Sequence, residues 1–173
     1  MTTSTMIQET FTKKYIAFEE VISDYLLQFK NFINHTPTSS YNNILANVEQ
    51  LADKANTQVL MALSADNQLL GGLVCFSGET NYAPANIANK VRNNSGVRLL
   101  AIDANAKGLG IGRSLVRYCI DLAKSSEKRE VILHTSKTLG SVWRMYERIG
   151  FKRSSDLDFY RDDAVVFGFR LVI

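Results

Sequence analysis

The sequence predicts a mixed α/β domain with a parallel pair of strands near its centre. Three observations support this fold class. Two helical segments open the chain, two strand-like segments follow them, and strands then alternate with helices through the last half. The predicted order is α-α-β-β followed by β-α-β-α-β-β. Strands joined by a crossover helix pair in parallel, so the central β-α-β unit should supply the parallel pair.

Length and composition limit the class of protein further. The chain has 173 residues, of which 46% are hydrophobic and 21% charged, as in a globular protein. We expect a single domain over residues 1–173. The net charge of +3 is too small to indicate nucleic acid, and the longest apolar run, Leu69 to Phe76, is too short for a membrane helix. No signal-peptide pattern opens the chain, so we expect a cytoplasmic protein without nucleic-acid or membrane partners.

The residues that most often bind metals or form disulfides are few. Cys75 and Cys119 each lie inside an apolar run, and we expect both to be buried free thiols in a reducing compartment. The two cysteines and two histidines are far apart in sequence, so no metal site is expected.

The first half of the chain predicts two helices, a hairpin and a loop. Apolar residues recur at helical spacing over 14–32 and over about 40–54. Two β-rich segments then flank a short polar turn, which predicts a hairpin of strands 57–65 and 69–78. Residues 79–94 are polar and aperiodic, which predicts a long loop, and long loops in compact domains are often functional.

Two glycines interrupt the second of these strands. Gly71 and Gly72 lie inside an otherwise apolar β-rich run. Glycine in a strand interior indicates a bulge or a close approach of another part of the backbone.

The second half of the chain alternates strands and helices. The pattern predicts strands and helices in this order: strand 97–102, helix 111–124, strand 131–135, helix 139–149, strand 151–153 and strand 165–173. Gly150 follows the second of these helices at the position where glycine usually ends a helix.

A glycine-rich turn, Lys107-Gly108-Leu109-Gly110-Ile111-Gly112, joins strand 97–102 to helix 111–124. Glycines let the backbone turn tightly and let a ligand approach without a Cβ in the way. The helix that follows directs its free N–H groups and positive dipole end at the turn. This combination suits an anion such as phosphate.

From the residues alone, three interpretations of this turn compete. A dinucleotide-binding turn needs G-x-G-x-x-G and an acidic residue at the end of the next strand, whereas the spacing here is G-x-G-x-G and Glu130 begins a strand. A Walker loop needs Gly-Lys-Ser/Thr, which the chain lacks. A purely structural strand-to-helix turn remains open beside an anion site.

Two motifs in residues 97–153 resemble the GNAT superfamily of acyl-CoA N-acyltransferases. The first is a strand followed by Arg/Gln-x-x-Gly-x-Gly/Ala, matched here by Lys107-x-x-Gly110-x-Gly112 with lysine in the first place. The second is a helix with a tyrosine followed by Gly-Phe, matched by Tyr146 to Phe151. The resemblance implies a mostly antiparallel sheet with a central parallel βαβ splay and about four flanking helices. Within the family, the chain resembles uncharacterised bacterial members that act on small molecules more than members that acetylate histones or ribosomal proteins.

The resemblance also implies an activity and a set of binding residues. The chain is expected to be an N-acetyltransferase that moves an acetyl group from acetyl-CoA to a small-molecule primary amine by direct attack. The turn would bind the pyrophosphate and the preceding strand the pantetheine arm. The residues that carry over are Leu100, Ala101, Ile102, Lys107, Gly108, Leu109, Gly110, Ile111, Gly112 and Arg113.

The resemblance makes Tyr146 the general acid that protonates the leaving thiolate. The alternative is that Tyr146 is only a core aromatic beside Trp143 and Phe151. Glu79 is the best-placed carboxylate for a general base, with a water chain as the alternative. His134 lies in the middle of an apolar strand, which favours a packing role.

Two positions depart from the family pattern. Ala104 stands where the family often has proline. Leu139 stands where it often has asparagine, so that cofactor contact is expected either to be absent or to be made by Thr138 or Ser141. Asp103 is expected to shape the turn before the glycines.

The acceptor amine is not identified by the sequence. Its site is expected where the first two helices, the 79–94 loop and the last strands meet, with Tyr82, Asn86 and Arg92 as candidates. Two further expectations rest on analogy with the family: a homodimer, to which the last strand would contribute its edge, and, as the alternative function, a non-catalytic CoA-binding sensor.

Overall fold

The structure, a computed structural model, describes residues 19–34, 56–77, 93–137, 139–161 and 164–173. Three helices and seven strands lie in these ranges and confirm the predicted α/β class. In chain order they are α1 (Glu19–Asn34), β1 (Thr57–Leu63), β2 (Leu69–Ser77), β3 (Asn94–Ile102), α2 (Ile111–Ser125), β4 (Glu130–Ser136), α3 (Gly140–Ile149), β5 (Lys152–Arg153), β6 (Phe159–Arg161) and β7 (Ala164–Val172). Short 3-10 helices span Ala104–Ala106 and Ser155–Leu157.

All seven strands belong to one sheet in the order β1-β2-β3-β4-β7-β5, and β6 pairs with β7 beside β5. The pair β3–β4 is parallel, and the other pairs are antiparallel. The predicted mostly antiparallel sheet with a central parallel pair is therefore confirmed. The crossover from β3 to β4 runs through α2, which places the glycine turn at the carboxyl end of β3.

A bulge in β3 opens the sheet at its centre. Gly72 pairs with Ala101 and Val74 with Arg98, so two residues of β3 oppose one residue of β2. Leu99, inside this bulge, has φ 54°. Parallel pairing of β3 with β4 ends at Val97 and Leu133. Since a bulge bends its strand and increases the local twist, β3 and β4 diverge beyond this point.

The sheet carries a separate apolar core on each face. On one face, the buried Phe29 and Ile33 of α1 pack with Phe76, Leu157 and other apolar residues. On the other face, α2 and α3 pack against the alternate residues of the same strands. Burial of both faces explains why β2 and β3 read as nearly continuous apolar runs.

The predicted hairpin and its glycines are confirmed. The turn closes with a hydrogen bond from the Ser64 N–H to the Gln68 carbonyl, and Tyr25 of α1 donates its hydroxyl to the Asn67 carbonyl at 2.8 Å. A Cβ on Gly71 would lie 2.6 Å from Ile102 Cδ1, and one on Gly72 would lie 2.9 Å from the Leu60 carbonyl oxygen. Both glycines are therefore required by close packing, and the bulge lies next to them.

The expectation of two free thiols is wrong. The structure joins Cys75 and Cys119 in a disulfide, with their Cα atoms 6.2 Å apart. Cys75 faces the α2 side of β2, and Cys119 lies on the buried stripe of α2, so packing the helix on the sheet brings the two side chains together. The two residues are 44 positions apart, and no local pattern pairs them.

Other predictions need correction or lie beyond the described residues. Asn94 begins β3 instead of ending a loop, and β6 was not predicted. The last strand, β7, bonds to β4 along one edge and to β5 and β6 along the other, and the expectation of a homodimer stays a prediction. The second predicted helix and most of the 79–94 loop lie outside the described residues, where the fourth expected helix would fall.

Among the described helices, none combines the length and the apolar character needed to cross a membrane.

Candidate active site

The glycine turn leaves open space on its outer side. Gly108 and Gly110 both have φ +82°, and a Cβ on either would meet nothing within 4 Å. Asp103 orders the chain ahead of the turn, because its carboxylate accepts the Asn105 N–H at 3.1 Å and its own N–H donates to the Leu70 carbonyl at 2.9 Å. The predicted turn-shaping role of Asp103 is confirmed.

The first turn of α2 presents backbone donors at this open space. The Ser114 N–H bonds to the Gly110 carbonyl at 3.0 Å, so the N–H groups of Ile111, Gly112 and Arg113 precede the first intrahelical hydrogen bond. The side chains of Lys107 and Arg113 are exposed. Free N–H groups, the positive end of the helix dipole and two cations together favour an anion at this point.

A cleft lies where β3 and β4 diverge and leaves about 610 Å³ of empty space, including its open mouth. It passes between the two faces of the sheet, because its walls contain Ile33 of α1 and also Val142 and Tyr146 of α3. Leu100 of the bulge lines it as well. In the described part of the chain, no strand pairs with residues 100–102 on the side toward β4. This edge of β3 therefore offers backbone donors and acceptors to a ligand.

The side of the cleft toward α3, here called the α3 face, holds two buried polar side chains. Tyr146 is 5% exposed, packs edge-on against Phe151 at 5.9 Å and lines the cleft. Thr135 is 4% exposed, and its hydroxyl has no hydrogen-bond partner among the described residues. A buried hydroxyl without a partner is costly, so this position in the cleft is suited to a polar group of a ligand.

The side toward α1, here called the α1 face, holds two basic side chains. Arg98 and His134 are the residues that follow the last parallel pair, and both line the cleft. The Arg98 guanidinium lies 5.7 Å from the centre of the Phe76 ring. His134 Nε2 is 2.8 Å from the Leu157 carbonyl oxygen and, since a carbonyl only accepts, this nitrogen carries the hydrogen.

A network of ion pairs fixes the chain segment that holds His134. Leu157 is fully buried, and its segment is tied to β7 by Arg153, which pairs with Asp158. The Gly168 N–H donates to Asp158 Oδ1 at 2.9 Å, and a Cβ on Gly168 would collide with Leu157. These contacts pack the 3-10 helix Ser155–Leu157 against β7. The packing keeps the Leu157 carbonyl next to His134.

A second ion pair supports the same 3-10 helix. Arg170 contacts Glu130 at 2.7 Å and Asp156 at 3.0 Å. Partial burial raises the pKa of Asp156, but hydrogen bonds from Ser154 and Arg170 outweigh that effect and leave the pKa below the usual 3.8. The Asp156 carboxylate therefore stabilises the folded chain at neutral pH.

The structure brings some of the predicted site residues together. The turn lies next to the cleft. A Cβ on Gly112 would lie 3.7 Å from the side chain of Leu100, which lines the cleft, and 3.6 Å from that of Met145. Ser141 is exposed in the first turn of α3. The predicted residues Glu79, Thr138, Tyr82, Asn86 and Arg92 lie outside the described residues.

Arg98 and Thr135 line the cleft but are not among the residues that the sequence predicted for the site. Arg98 had a signal, because it is a charged residue inside the otherwise apolar strand VRLLAI. Thr135 had none, since a threonine in a strand is ordinary. Within the described ranges, no group of three or more His, Cys, Asp and Glu side chains is arranged to hold a metal ion.

The comparison with protein families gives one match. The model of the GNAT acetyltransferase family matches residues 18–151, which include both motifs, the cleft and the turn. The chain belongs to the GNAT family. The comparison with curated proteins found no match.

Solved structures of GNAT acetyltransferases share this fold. A GNAT-family acetyltransferase from Staphylococcus aureus Mu50 has a TM-score of 0.65 at 18% identity, over 90% of this chain and 95% of that one. A GCN5-related N-acetyltransferase from Kribbella flavida gives 0.67 at 16% identity, over 90% and 95%. A Bacillus subtilis acetyltransferase in complex with CoA gives 0.61 at 15% identity, over 87% and 92%. The sheet order and the central splay are therefore those of the family.

Proposed function

We propose that this GNAT-family chain is an N-acetyltransferase that transfers an acetyl group from acetyl-CoA to a primary amine of a small molecule. The observation that carries the proposal is the continuity between the anion-binding turn and the cleft that Tyr146 lines. The Bacillus subtilis neighbour is a complex with CoA, which supports the choice of acyl donor. We propose a single domain over residues 1–173 as its unit of activity.

The described residues fit acetyl-CoA in three places. The N–H groups of Ile111, Gly112 and Arg113 suit the pyrophosphate, with Lys107 or Arg113 adding a charge-assisted contact. The free edge of β3 at residues 100–102 suits the amides of the pantetheine arm. The unpartnered hydroxyl of Thr135 suits a polar group of the same arm.

In the proposed reaction, the amine nitrogen bonds to the thioester carbonyl carbon, and the carbon–sulfur bond then breaks. A backbone N–H of residues 100–102 stabilises the oxyanion. Tyr146 donates its hydroxyl proton to the leaving thiolate. The products are the acetylated amine and CoA.

The amine must also lose a proton, and two side chains are candidates to accept it. Glu79 is the candidate from the sequence and lies outside the described residues. His134 lines the α1 face of the cleft, where its Nε2 contacts the Leu157 carbonyl oxygen, and an imidazole is a common proton acceptor at neutral pH. Glu79→Gln and His134→Gln distinguish them: the variant that removes the acceptor should abolish the rise of kcat with pH, and the other should keep it.

The test of the general acid is Tyr146→Phe, assayed by CoA release with a panel of amines. We expect kcat to fall by about 10²- to 10⁴-fold, while the Kd for acetyl-CoA stays within about twofold. Tyr160→Phe is the matched control, because Tyr160 is 81% exposed and lies on β6. Unchanged kcat for Tyr146→Phe across pH 6–9 would contradict the assignment. Acetyl-CoA binding without turnover on any amine would favour a sensor instead.

A further inference from the structure

The two faces of the cleft differ in the side chains that they present. Tyr146 and Thr135 lie on the α3 face, with the glycine turn and α2. Arg98 and His134 lie on the α1 face, beside Phe76 and Phe159 of the other core. Since the proposed acyl donor occupies the α3 face, the acceptor amine approaches from the α1 face.

We propose that the acceptor carries an anionic group beside its amine, a carboxylate or a phosphate, and that Arg98 binds this group. This inference rests on the proposed function and names the substrate class of the same site. The acceptor class is that of amino acids and phosphorylated amines, in contrast to polyamines and other polycations.

The position of Arg98 favours a direct contact with the acceptor. Arg98 follows Val97, the last residue of β3 that pairs with β4, and His134 holds the equivalent place after Leu133. The two side chains therefore border the cleft from opposite strands, on one face of the sheet. An acceptor whose amine lies near His134 would have its neighbouring group within reach of the guanidinium.

The surroundings of Arg98 strengthen its interaction with an anion. Its guanidinium packs over Phe76, which is 1% exposed, so one side of the cation faces an apolar wall instead of water. An ion pair in such a partly desolvated place is stronger than one on the open surface. The planar guanidinium also matches a carboxylate or phosphate with two parallel hydrogen bonds.

Arg98 places a permanent cation on the α1 face of the cleft. A cation at this position favours an anionic acceptor over a polycationic one, and that difference in affinity is a source of specificity.

The experiment compares amines that differ only in the anionic group. The panel pairs amino acids with the amines that lack their carboxylate, and O-phosphoethanolamine with ethanolamine, with spermidine as the polycation. Acetyl transfer gives kcat/KM, and calorimetry on the CoA-saturated protein gives Kd for each amine without turnover. The carboxylate and phosphate pairs separate the two sources of negative charge.

We expect wild-type protein to prefer the acid-bearing member of a pair by about 10- to 100-fold in kcat/KM. Arg98→Met should remove the preference, mainly through KM, and leave the Kd for acetyl-CoA unchanged; Arg98→Lys should restore part of it. Arg117→Met is the control, since Arg117 is an exposed arginine of α2.

Each other outcome separates the two proposals. Transfer to neutral amines or spermidine without preference for acids, or a preference that persists in Arg98→Met, overturns the inference and keeps the acetyltransferase. Binding of acids through Arg98 without any turnover keeps the inference and overturns the acetyltransferase. If no acid binds and no acid is acetylated, the inference is overturned.

Discussion

Replacing Gly110 with valine tests whether the glycine turn binds phosphate or only turns the chain. Gly110 has φ +82°, and a Cβ there meets no atom of the protein within 4 Å. In the free protein the cost is therefore backbone strain alone, about 1–2 kcal/mol. For a domain of this size, that should lower Tm by roughly 2–8 °C.

The effect on acetyl-CoA should be much larger. Gly110 is the N-cap of α2, so a valine side chain at this position lies next to the first N–H groups of the helix, which are the proposed phosphate donors. Charge-assisted hydrogen bonds are worth about 1.5–3 kcal/mol each. Losing two of them costs roughly 3–6 kcal/mol, which raises Kd more than a hundredfold.

Isothermal titration calorimetry with acetyl-CoA measures this change. Gly150→Val is the matched control, because Gly150 also has a positive φ, +118°, but ends α3 away from the turn. We expect the control to lose stability and keep its affinity. Equal affinities for wild-type protein and a folded Gly110→Val variant would refute the phosphate-binding role of the turn.

Three further predictions concern stability. Gly168→Ala places a Cβ against Leu157, so denaturant unfolding should show a loss of about 1–3 kcal/mol; an unchanged midpoint would contradict the packing. Asp156→Asn should cost about 0.5 kcal/mol at pH 7, since the side chain is 49% exposed. Its lowered pKa means that this cost declines as pH falls from 3.8 through the lower pKa of the folded protein, and a cost that does not decline in acid would contradict the ion pair. Unreduced, denatured protein should resist alkylation at Cys75 and Cys119, and the double serine variant should lose about 2–4 kcal/mol.

The features that sequence predicted well are those set by local chemistry. The glycine turn, the end of α3 at Gly150 and the hairpin before Leu69 each depend on a few neighbouring residues with special backbone preferences. The order of strands and helices followed from apolar periodicity. Tyr146 was placed correctly in helix α3 for the same reason, although its role rested on the family resemblance.

The features that sequence missed depend on contacts between distant segments. The Cys75–Cys119 disulfide needs α2 packed on β2, and the bulge at Leu99 depends on the register of β3 against β2. Strand β6 has only three residues, which are too few to show a periodic pattern, and it forms by pairing with β7. Arg98 could not be predicted as a cleft residue, because the cleft beside it exists only where β3 and β4 diverge in the folded sheet.

The most direct test of the central claim is a thermal-shift comparison of acetyl-CoA, CoA, NADH and ATP with the full chain. A ligand at about 100 times its Kd adds roughly 2.7 kcal/mol of stability, which raises Tm by about 5–10 °C in a domain of this size. We expect acetyl-CoA and CoA to give this shift and NADH and ATP to give none. A folded sample that shows no shift with either CoA species would contradict the claim that the turn and the cleft bind an acyl-CoA.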